Sequence, residues 1–304
     1  MNTEHDDFGG LERDLPMLLQ RRHVLKLLAG GSLLALASCG SDAKQSAATN
    51  APSTSGSTAS TNAASTTAAS TDTATAATTA ATAVTASTAG SASAASCTPI
   101  NEETAGPYPG DGSNGPDVLT ESGVLRSDIT SSFGSSTTVA EGVPTTVTMA
   151  IQDTANGCAA LANAAVYVWH CSREGLYSMY SPGATTENYL RGVQQAGADG
   201  KVTFKTIFPG AYSGRWPHIH FEVYASVDDA TGGGRPIATS QLAMPEGVCT
   251  VVYASAGYET SVRNFAQTPL SRDNVFSDDN AAHQIPSATG SVDAGYTLEL
   301  SVPV

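Results

Sequence analysis

Between Gly40 and Ser96 the chain consists almost entirely of alanine, threonine and serine, and this composition limits how much of it can fold. The stretch holds no aromatic residue, and Val84 is its only large aliphatic residue. It cannot bury enough apolar surface to offset the conformational entropy lost on ordering. We therefore predict a disordered tether over residues 39–96 and a single folded domain over residues 97–304.

The residues before the tether have the three parts of an export signal. Arg21-Arg22 supplies a basic start, residues 24–37 are mainly apolar, and Leu36-Ala-Ser-Cys39 ends the segment with small residues. The apolar run is shorter than the roughly 20 residues that span a membrane. The arginine pair resembles a twin-arginine signal, and the final four residues resemble a bacterial lipobox. We predict that residues 1–38 are removed, leaving an exported, extracytoplasmic protein that the lipid on Cys39 anchors to the cell membrane or that is released.

The charge of the chain excludes one class of partner. A formal net charge of −14, with no basic cluster after Lys26, argues against binding to nucleic acid.

Beyond the lipobox the chain has four cysteines, at positions 97, 158, 171 and 249. An even number in an exported domain predicts up to two disulfides, with three possible pairings. Their spacing does not suit a zinc site.

The chain after Cys97 has the pattern of many short strands separated by Gly, Pro and Asn, which is typical of an all-β sandwich. The predicted strands are 144–153, 164–171, 200–208, 218–226, 237–245, 248–255 and 296–304. Two long connections, 172–197 and 256–295, are expected to shape the mouth of a site. Residues 102–127 are expected to wrap the sandwich as an irregular arm.

A His-x-His pair is the first sign of a metal site. Because side chains two apart in a strand share a face, His218 and His220 point together, away from Ile219. Tyr212 precedes them beyond a Pro-Gly turn, and Tyr177 follows another predicted strand. Phenolate is a hard anionic donor, and its ordinary pKa near 10 means that only a strongly acidic cation keeps it deprotonated at neutral pH. Ferric iron fits this donor set, whereas zinc prefers Cys, His and carboxylate.

From Glu103 to near the C-terminus, the order and spacing of short motifs resemble the intradiol ring-cleavage dioxygenases. These are non-haem Fe(III) enzymes that open catechols between the two hydroxyl-bearing carbons. The motifs are Glu103-Thr-Ala-Gly-Pro-Tyr108, Leu125-Arg-Ser-Asp-Ile129, Ala165-Val-Tyr-Val-Trp169, Gly175-Leu-Tyr177-Ser178, Leu190-Arg-Gly192, Ala198-Asp-Gly-Lys-Val-Thr-Phe204, Pro209-Gly-Ala-Tyr212, His218-Ile-His220 and Ser240-Gln-Leu242. The short gap between Tyr212 and His218 resembles the secreted single-chain members rather than the two-subunit protocatechuate enzymes.

The resemblance implies roles for individual residues. The implied Fe(III) ligands are Tyr177, Tyr212, His218 and His220, with Tyr212 the one that substrate displaces. Arg215 would stabilise negative charge on a catechol-type substrate, Gln241 would hydrogen-bond near the ligands, and Tyr108 would line the substrate entrance. O2 would be the second substrate and cis,cis-muconic acids the products. From the residues alone, Arg215 could instead form a surface salt bridge, Gln241 be an ordinary polar strand residue, and Tyr108 a core aromatic.

Two other functions fit parts of this pattern. One is a non-catalytic surface lipoprotein, whose sandwich binds a ligand or partner and holds an incidental metal. The other is a copper or zinc protein that uses the histidine pair alone. Only the enzyme requires both tyrosines at the metal. We expect His170, which follows a tryptophan in a predicted strand, to be structural rather than a further ligand.

Overall fold

The computed structural model describes residues 97–304 and shows two β-sheets packed face to face. The strands are β1 (Pro144–Asp153), β2 (Ala159–Ala160), β3 (Ala165–Trp169), β4 (Arg191–Gln195), β5 (Lys201–Ile207), β6 (His218–Tyr224), β7 (Ala238–Ala243), β8 (Ser287–Ser291) and β9 (Gly295–Pro303). The helices are α1 (Val227–Thr231), α2 (Glu246–Val252) and α3 (Glu259–Gln267), with 3-10 turns at Leu270–Arg272 and Phe276–Asp278. The predicted export signal, Cys39 and the tether lie outside the described residues.

The two sheets differ in strand direction. In the first sheet β1 pairs in parallel with β9 and antiparallel with β5 and β2, while β8 pairs with the far edge of β9. The second sheet has the order β4-β3-β6-β7 and is antiparallel throughout. Its register places His220 directly opposite Trp169 on one side and Gln241 on the other.

The core lies between the sheets, where alternate residues of each strand meet. Met149 of β1 and Phe204 of β5 join Val168 of β3 and Phe221 of β6 in one buried cluster. Strands with one inward face show the alternation that the sequence predicts, as in β5, whose burial alternates along Lys201–Thr206.

The outer face of the four-stranded sheet is covered as well. Val118, Leu119 and Val124 of the arm pack with Tyr167 and Trp169 of β3, on the side away from the main core. All residues of β3 and β6 are therefore buried. The predicted arm is confirmed. Protein covers the sheet face that carries the histidine pair, so this face is not open to solvent.

One predicted strand is wrong. Residues 248–255 are rich in β-branched side chains, but Glu246–Val252 form helix α2. The helix begins after Pro245, and the buried residues Cys249, Val252 and Tyr253 recur at helical spacing and pack on the core. Packing on one face thus overrides local β propensity.

The cysteines form one disulfide among the described residues. Cys97 is bonded to Cys158, which ties the start of the domain to the turn between β1 and β2. Cys171 and Cys249 are buried free thiols, and burial raises the pKa of Cys171 to about 12. Within residues 97–304, no helix is both long and apolar enough to cross a bilayer.

Candidate metal centre

Strand β6 places the two histidines of the candidate site side by side on the covered outer face of the four-stranded sheet. Each is only 2% exposed. The ring of Trp169, on the neighbouring strand β3, stacks on His220 at a centroid distance of 4.8 Å and an interplanar angle of 3°. The strand alternation predicts this pairing. A His-x-His in a strand could also be two polar residues on a solvated sheet face, but that alternative is wrong because the arm and the loops cover both rings.

Two loops bring the tyrosines to the same place. Tyr177 lies beyond β3, and the Ser181 side chain accepts a hydrogen bond from its backbone N–H. Tyr212 lies between β5 and β6, in a loop held by the α3 region, where the Ala211 N–H donates to Ser261 Oγ. The loops touch at Gly175, where an added Cβ would lie 3.2 Å from Tyr212 Cβ. This close contact favours a glycine, and so does the φ of +87° at this position.

Four donor atoms converge. His218 Nε2 lies 3.0 Å from His220 Nε2, 3.4 Å from the Tyr177 hydroxyl and 3.3 Å from the Tyr212 hydroxyl. The two hydroxyl oxygens are 3.5 Å apart. Donors that share one transition-metal ion at about 2.1 Å, at angles of about 90–110°, are separated by about 3.0–3.4 Å. The spacing of this set therefore fits a single bound ion.

The protonation of His218 also fits a metal ligand. Its Nδ1 lies 2.5 Å from the carbonyl oxygen of Trp216, which can only accept, so Nδ1 carries the proton. The lone pair on Nε2 then faces the other three donors. Burial, followed by the charge of Arg215, lowers the pKa of His218 well below its ordinary value. Burial and then His218 do the same to the pKa of His220. Both imidazoles are neutral at pH 7, the form that binds metals.

Tyr177 needs a cation to act as an anionic ligand. Burial raises its pKa well above 10, with the neighbouring Tyr212 adding to the rise and Arg215 opposing it. A small, highly charged ion between the donors would reverse this balance by stabilising the phenolate. No group of three or more His, Cys, Asp or Glu side chains suited to a metal occurs in residues 97–304. The convergent set consists of two imidazoles and two phenols.

No protein-family model matches the chain. Catechol 1,2-dioxygenase 1 of Acinetobacter lwoffii is 34% identical over 89 residues, which is 23% of this chain and 28% of that protein. The chain therefore matches little more than a quarter of that relative's length. An intradiol ring-cleavage dioxygenase of Tetranychus urticae superimposes with a TM-score of 0.54 at 24% identity, over 68% of this chain and 94% of that one. A second dioxygenase structure has the same identity and coverage, with a TM-score of 0.55.

Residues 97–304 have the intradiol dioxygenase fold. The resemblance to the intradiol dioxygenases, predicted from the motifs, is confirmed for the fold. The predicted β-sandwich is confirmed as well. On this fold, the two histidines predicted as ligands lie on the second sheet, and the two tyrosines lie on the loops beside it.

Arg215 of this intradiol dioxygenase fold lies beside the donors, where it is 1% exposed. Its Nε donates to Asp273 Oδ2 at 2.9 Å, and its Nη2 donates to Gln241 Oε1 at 2.7 Å. The alternative of a surface salt bridge is wrong, since the pair is buried. The charge of Arg215 reaches Tyr177 and both histidines.

Gln241 connects Arg215 to the arm. Its side-chain N–H donates to the Thr104 carbonyl at 2.8 Å, while its Oε1 accepts from Arg215. Gln241 is fully buried opposite His220, which agrees with the predicted position near the ligands. It anchors the arm directly above the centre, where an added Cβ on Gly106 would lie 3.2 Å from His220 Cε1.

Tyr108 of the arm packs over Tyr177. Their ring centroids are 4.9 Å apart, and Tyr108 also contacts Tyr180 at 5.2 Å. Tyr108 is partly exposed. The aromatic packing matches the core alternative in part, and a place at the substrate entrance stays a prediction.

His170 is 1% exposed. Its Nε2 pairs with Thr206 Oγ1 at 2.6 Å and its Nδ1 with the Cys171 carbonyl at 2.8 Å. Both ring nitrogens are therefore engaged by protein, as expected for a structural histidine.

Two buried charged residues have partners that the sequence does not predict. Asp273, which binds Arg215, lies 58 residues further along the chain in a loop without a motif. Arg191, in the Leu190-Arg-Gly192 motif, is expected from the sequence to be structural, and its buried guanidinium donates five hydrogen bonds. Only Arg191 carried a sequence signal, and that signal was the motif itself.

Proposed function

We propose that residues 97–304 form a ferric, non-haem intradiol dioxygenase that opens small catechol-type diols with O2 to give cis,cis-muconic acids. The observation that carries the proposal is that His218 Nε2 lies 3.0–3.4 Å from His220 Nε2 and from both phenol oxygens, which are themselves 3.5 Å apart. The shared fold supports it independently. Both atoms of O2 enter the product, so the reaction needs no external reductant.

In this proposal His218, His220, Tyr177 and Tyr212 would hold the iron, and Tyr212 is the least buried of the four. A bound ferric ion would act as a Lewis acid that prepares a chelated catecholate for reaction with O2. Tyr212, whose phenolate oxygen would be freed when substrate enters, would accept one catechol proton on that oxygen. The charge of Arg215 stabilises the catecholate anion, because a guanidinium keeps its charge at every physiological pH.

The test uses the purified iron-loaded protein and three diols, namely catechol, protocatechuate and hydroxyquinol. We expect a visible absorption band from tyrosinate coordination, one O2 consumed per ring and muconates that absorb in the ultraviolet. Tyr177→Phe is expected to shift or remove the band and to lower turnover at least about 100-fold. Yellow semialdehyde products would contradict intradiol cleavage, and an unchanged band in Tyr177→Phe would remove that residue from the site.

A non-catalytic, ligand-binding lipoprotein is the second candidate. The sequence features of residues 1–39 favour the lipoprotein part of it, and an exported dioxygenase anchored through Cys39 shares that part. Protein that binds iron but consumes no O2 with any of the diols would favour the second candidate. Unchanged membrane attachment of a Cys39→Ser variant would contradict lipid anchoring in either case.

A further inference from the structure

Asp273 is a fully buried carboxylate in the segment between the two 3-10 turns. Its Oδ2 accepts from Arg215 Nε at 2.9 Å and from the Trp216 backbone N–H at 2.6 Å. Its Oδ1 accepts from the backbone N–H groups of Val275 and Phe276 at 2.9 and 3.0 Å. Two of these four donors lie in the loop before β6, and two lie in Asp273's own turn. The carboxylate therefore ties the two segments together.

The carboxylate reaches the candidate metal centre by two routes. Through Arg215 it fixes a positive charge that acts on Tyr177 and His218. Through the Trp216 N–H it holds the residue whose carbonyl oxygen accepts a hydrogen bond from His218 Nδ1. A buried ionised pair costs desolvation free energy unless its hydrogen bonds are satisfied. The described contacts satisfy both carboxylate oxygens.

We propose that Asp273 is a positioning residue, whose carboxylate holds the Arg215 guanidinium where it stabilises a bound catecholate anion. The inference rests on the proposed function, since the anion is the substrate of that reaction. It assigns the long connection between α3 and β8 a specific task, which is to supply the counter-ion of Arg215. Asp273 itself need not touch the substrate.

Stability alone cannot test this role. Removing one partner of a buried ion pair destabilises a fold whatever else the pair does. The deciding measurement is the dissociation constant of catechol for the iron-loaded protein without O2, read from the change in its visible band. This measurement separates substrate binding from turnover. It is made on the intact domain, with iron content and thermal unfolding recorded beside it.

The variants are Asp273→Asn, Arg215→Gln and the two combined. We expect each single variant to keep its iron and to bind catechol about 10- to 100-fold more weakly, the range for a lost charge-assisted hydrogen bond. The double variant should bind no more weakly than Arg215→Gln alone, because Asp273 acts through Arg215. The matched control is Glu141→Gln, which removes a carboxylate from the exposed ion pair with Arg173 and should change nothing.

Wild-type catechol affinity in Asp273→Asn would overturn the proposal, as would losses that multiply in the double variant. If Asp273→Asn does not fold, the double variant is compared with Arg215→Gln, because a neutral pair avoids an uncompensated buried charge. A weaker affinity in the double variant then overturns the proposal. Failure of the proposed function would look different, because the wild-type, iron-loaded protein itself would bind no catechol or would consume no O2 with it.

Discussion

At the scale of single residues, the spacing of the two phenols depends on Gly175. Gly175→Ala should lower the free energy of unfolding by more than the roughly 1 kcal/mol cost of alanine in a left-handed conformation. The added Cβ would also press on Tyr212 Cβ at 3.2 Å. We therefore expect a shifted visible band in the iron-loaded variant.

Gly183→Ala is the matched control for this prediction. Gly183 has a φ of +84°, close to the +87° of Gly175, but nothing lies within 4 Å of its added Cβ. It should cost about 1 kcal/mol and leave the band in place. Equal spectra for the two variants would show that the contact at Gly175 does not set the position of Tyr212.

His170 makes a pH-dependent contribution to stability. Burial lowers its pKa to about 4, against 6.5 for the free side chain. The folded state therefore binds fewer protons than the unfolded state, so this stability is complete above pH 6.5 and is lost as the pH falls toward 4. The difference corresponds to about 3 kcal/mol.

Urea unfolding of the iron-free protein and of His170→Gln at pH 7 and pH 4 isolates this contribution. Glutamine does not titrate, and other acid-sensitive groups are common to both proteins. The stability advantage of the wild type over the variant should shrink by about 3 kcal/mol between the two pH values. An advantage that does not change with pH would contradict the burial of a neutral imidazole at this position.

At the scale of elements, Arg191 joins the arm to the loop that carries Tyr177. The buried guanidinium donates to the carbonyl oxygens of Pro109 and Tyr108 on the arm. On the loop it donates to the Ser178 hydroxyl and carbonyl. Lysine has a single ammonium group and cannot reproduce this fork of donors.

Arg191→Lys is therefore expected to lower the free energy of unfolding by about 2–4 kcal/mol, the loss of one or two charged hydrogen bonds. Hydrogen exchange should speed up in both joined segments, around Tyr108 and Ser178, rather than across the sandwich. Arg263→Lys, on the exposed surface of α3, is the control and should have no effect. Faster exchange in only one of the two segments would contradict the joining role.

The elements also show why sequence predicts some parts of this fold and not others. Strands β1, β5 and β9 were predicted because one face is buried and the other is not, which leaves a period of two in the sequence. β8 was missed because its residues, Ser287–Ser291, are small or polar and largely exposed. β4 was missed because it is only five residues long and includes Gly192.

The same reasoning applies to the candidate site. The histidine pair could be predicted because two residues on one strand have a fixed relative direction. The tyrosines could be predicted only through the resemblance, since loops carry no such geometric rule. Asp273 could not be predicted, because its role arises from packing between segments far apart in the chain. It becomes visible only when the fold brings it to Arg215.

At the scale of the whole molecule, every group of the proposed mechanism lies in residues 97–304. The disulfide between Cys97 and Cys158 is inside this range, as are the arm, both sheets and all four donors. Residues 40–96 contain no aromatic residue, histidine or cysteine that could add to the site. The chemistry of the domain should therefore be independent of everything before Cys97.

A chain that begins at Cys97 tests this independence directly. When loaded with iron, the shorter chain should match the protein that begins at Cys39 in iron content, visible band and thermal unfolding. Its kcat and KM should agree with those of the longer protein within about two-fold, a difference of about 0.4 kcal/mol.

Cys158→Ser in the shorter chain provides a contrast, since opening the 61-residue disulfide loop should cost about 2–4 kcal/mol of stability. That variant should keep its visible band at temperatures where it stays folded, because the disulfide joins the start of the domain to the turn between β1 and β2, outside the strand and loops that carry the donors. Loss of iron from a shortened chain that unfolds at the wild-type temperature would show that the tether takes part in the site.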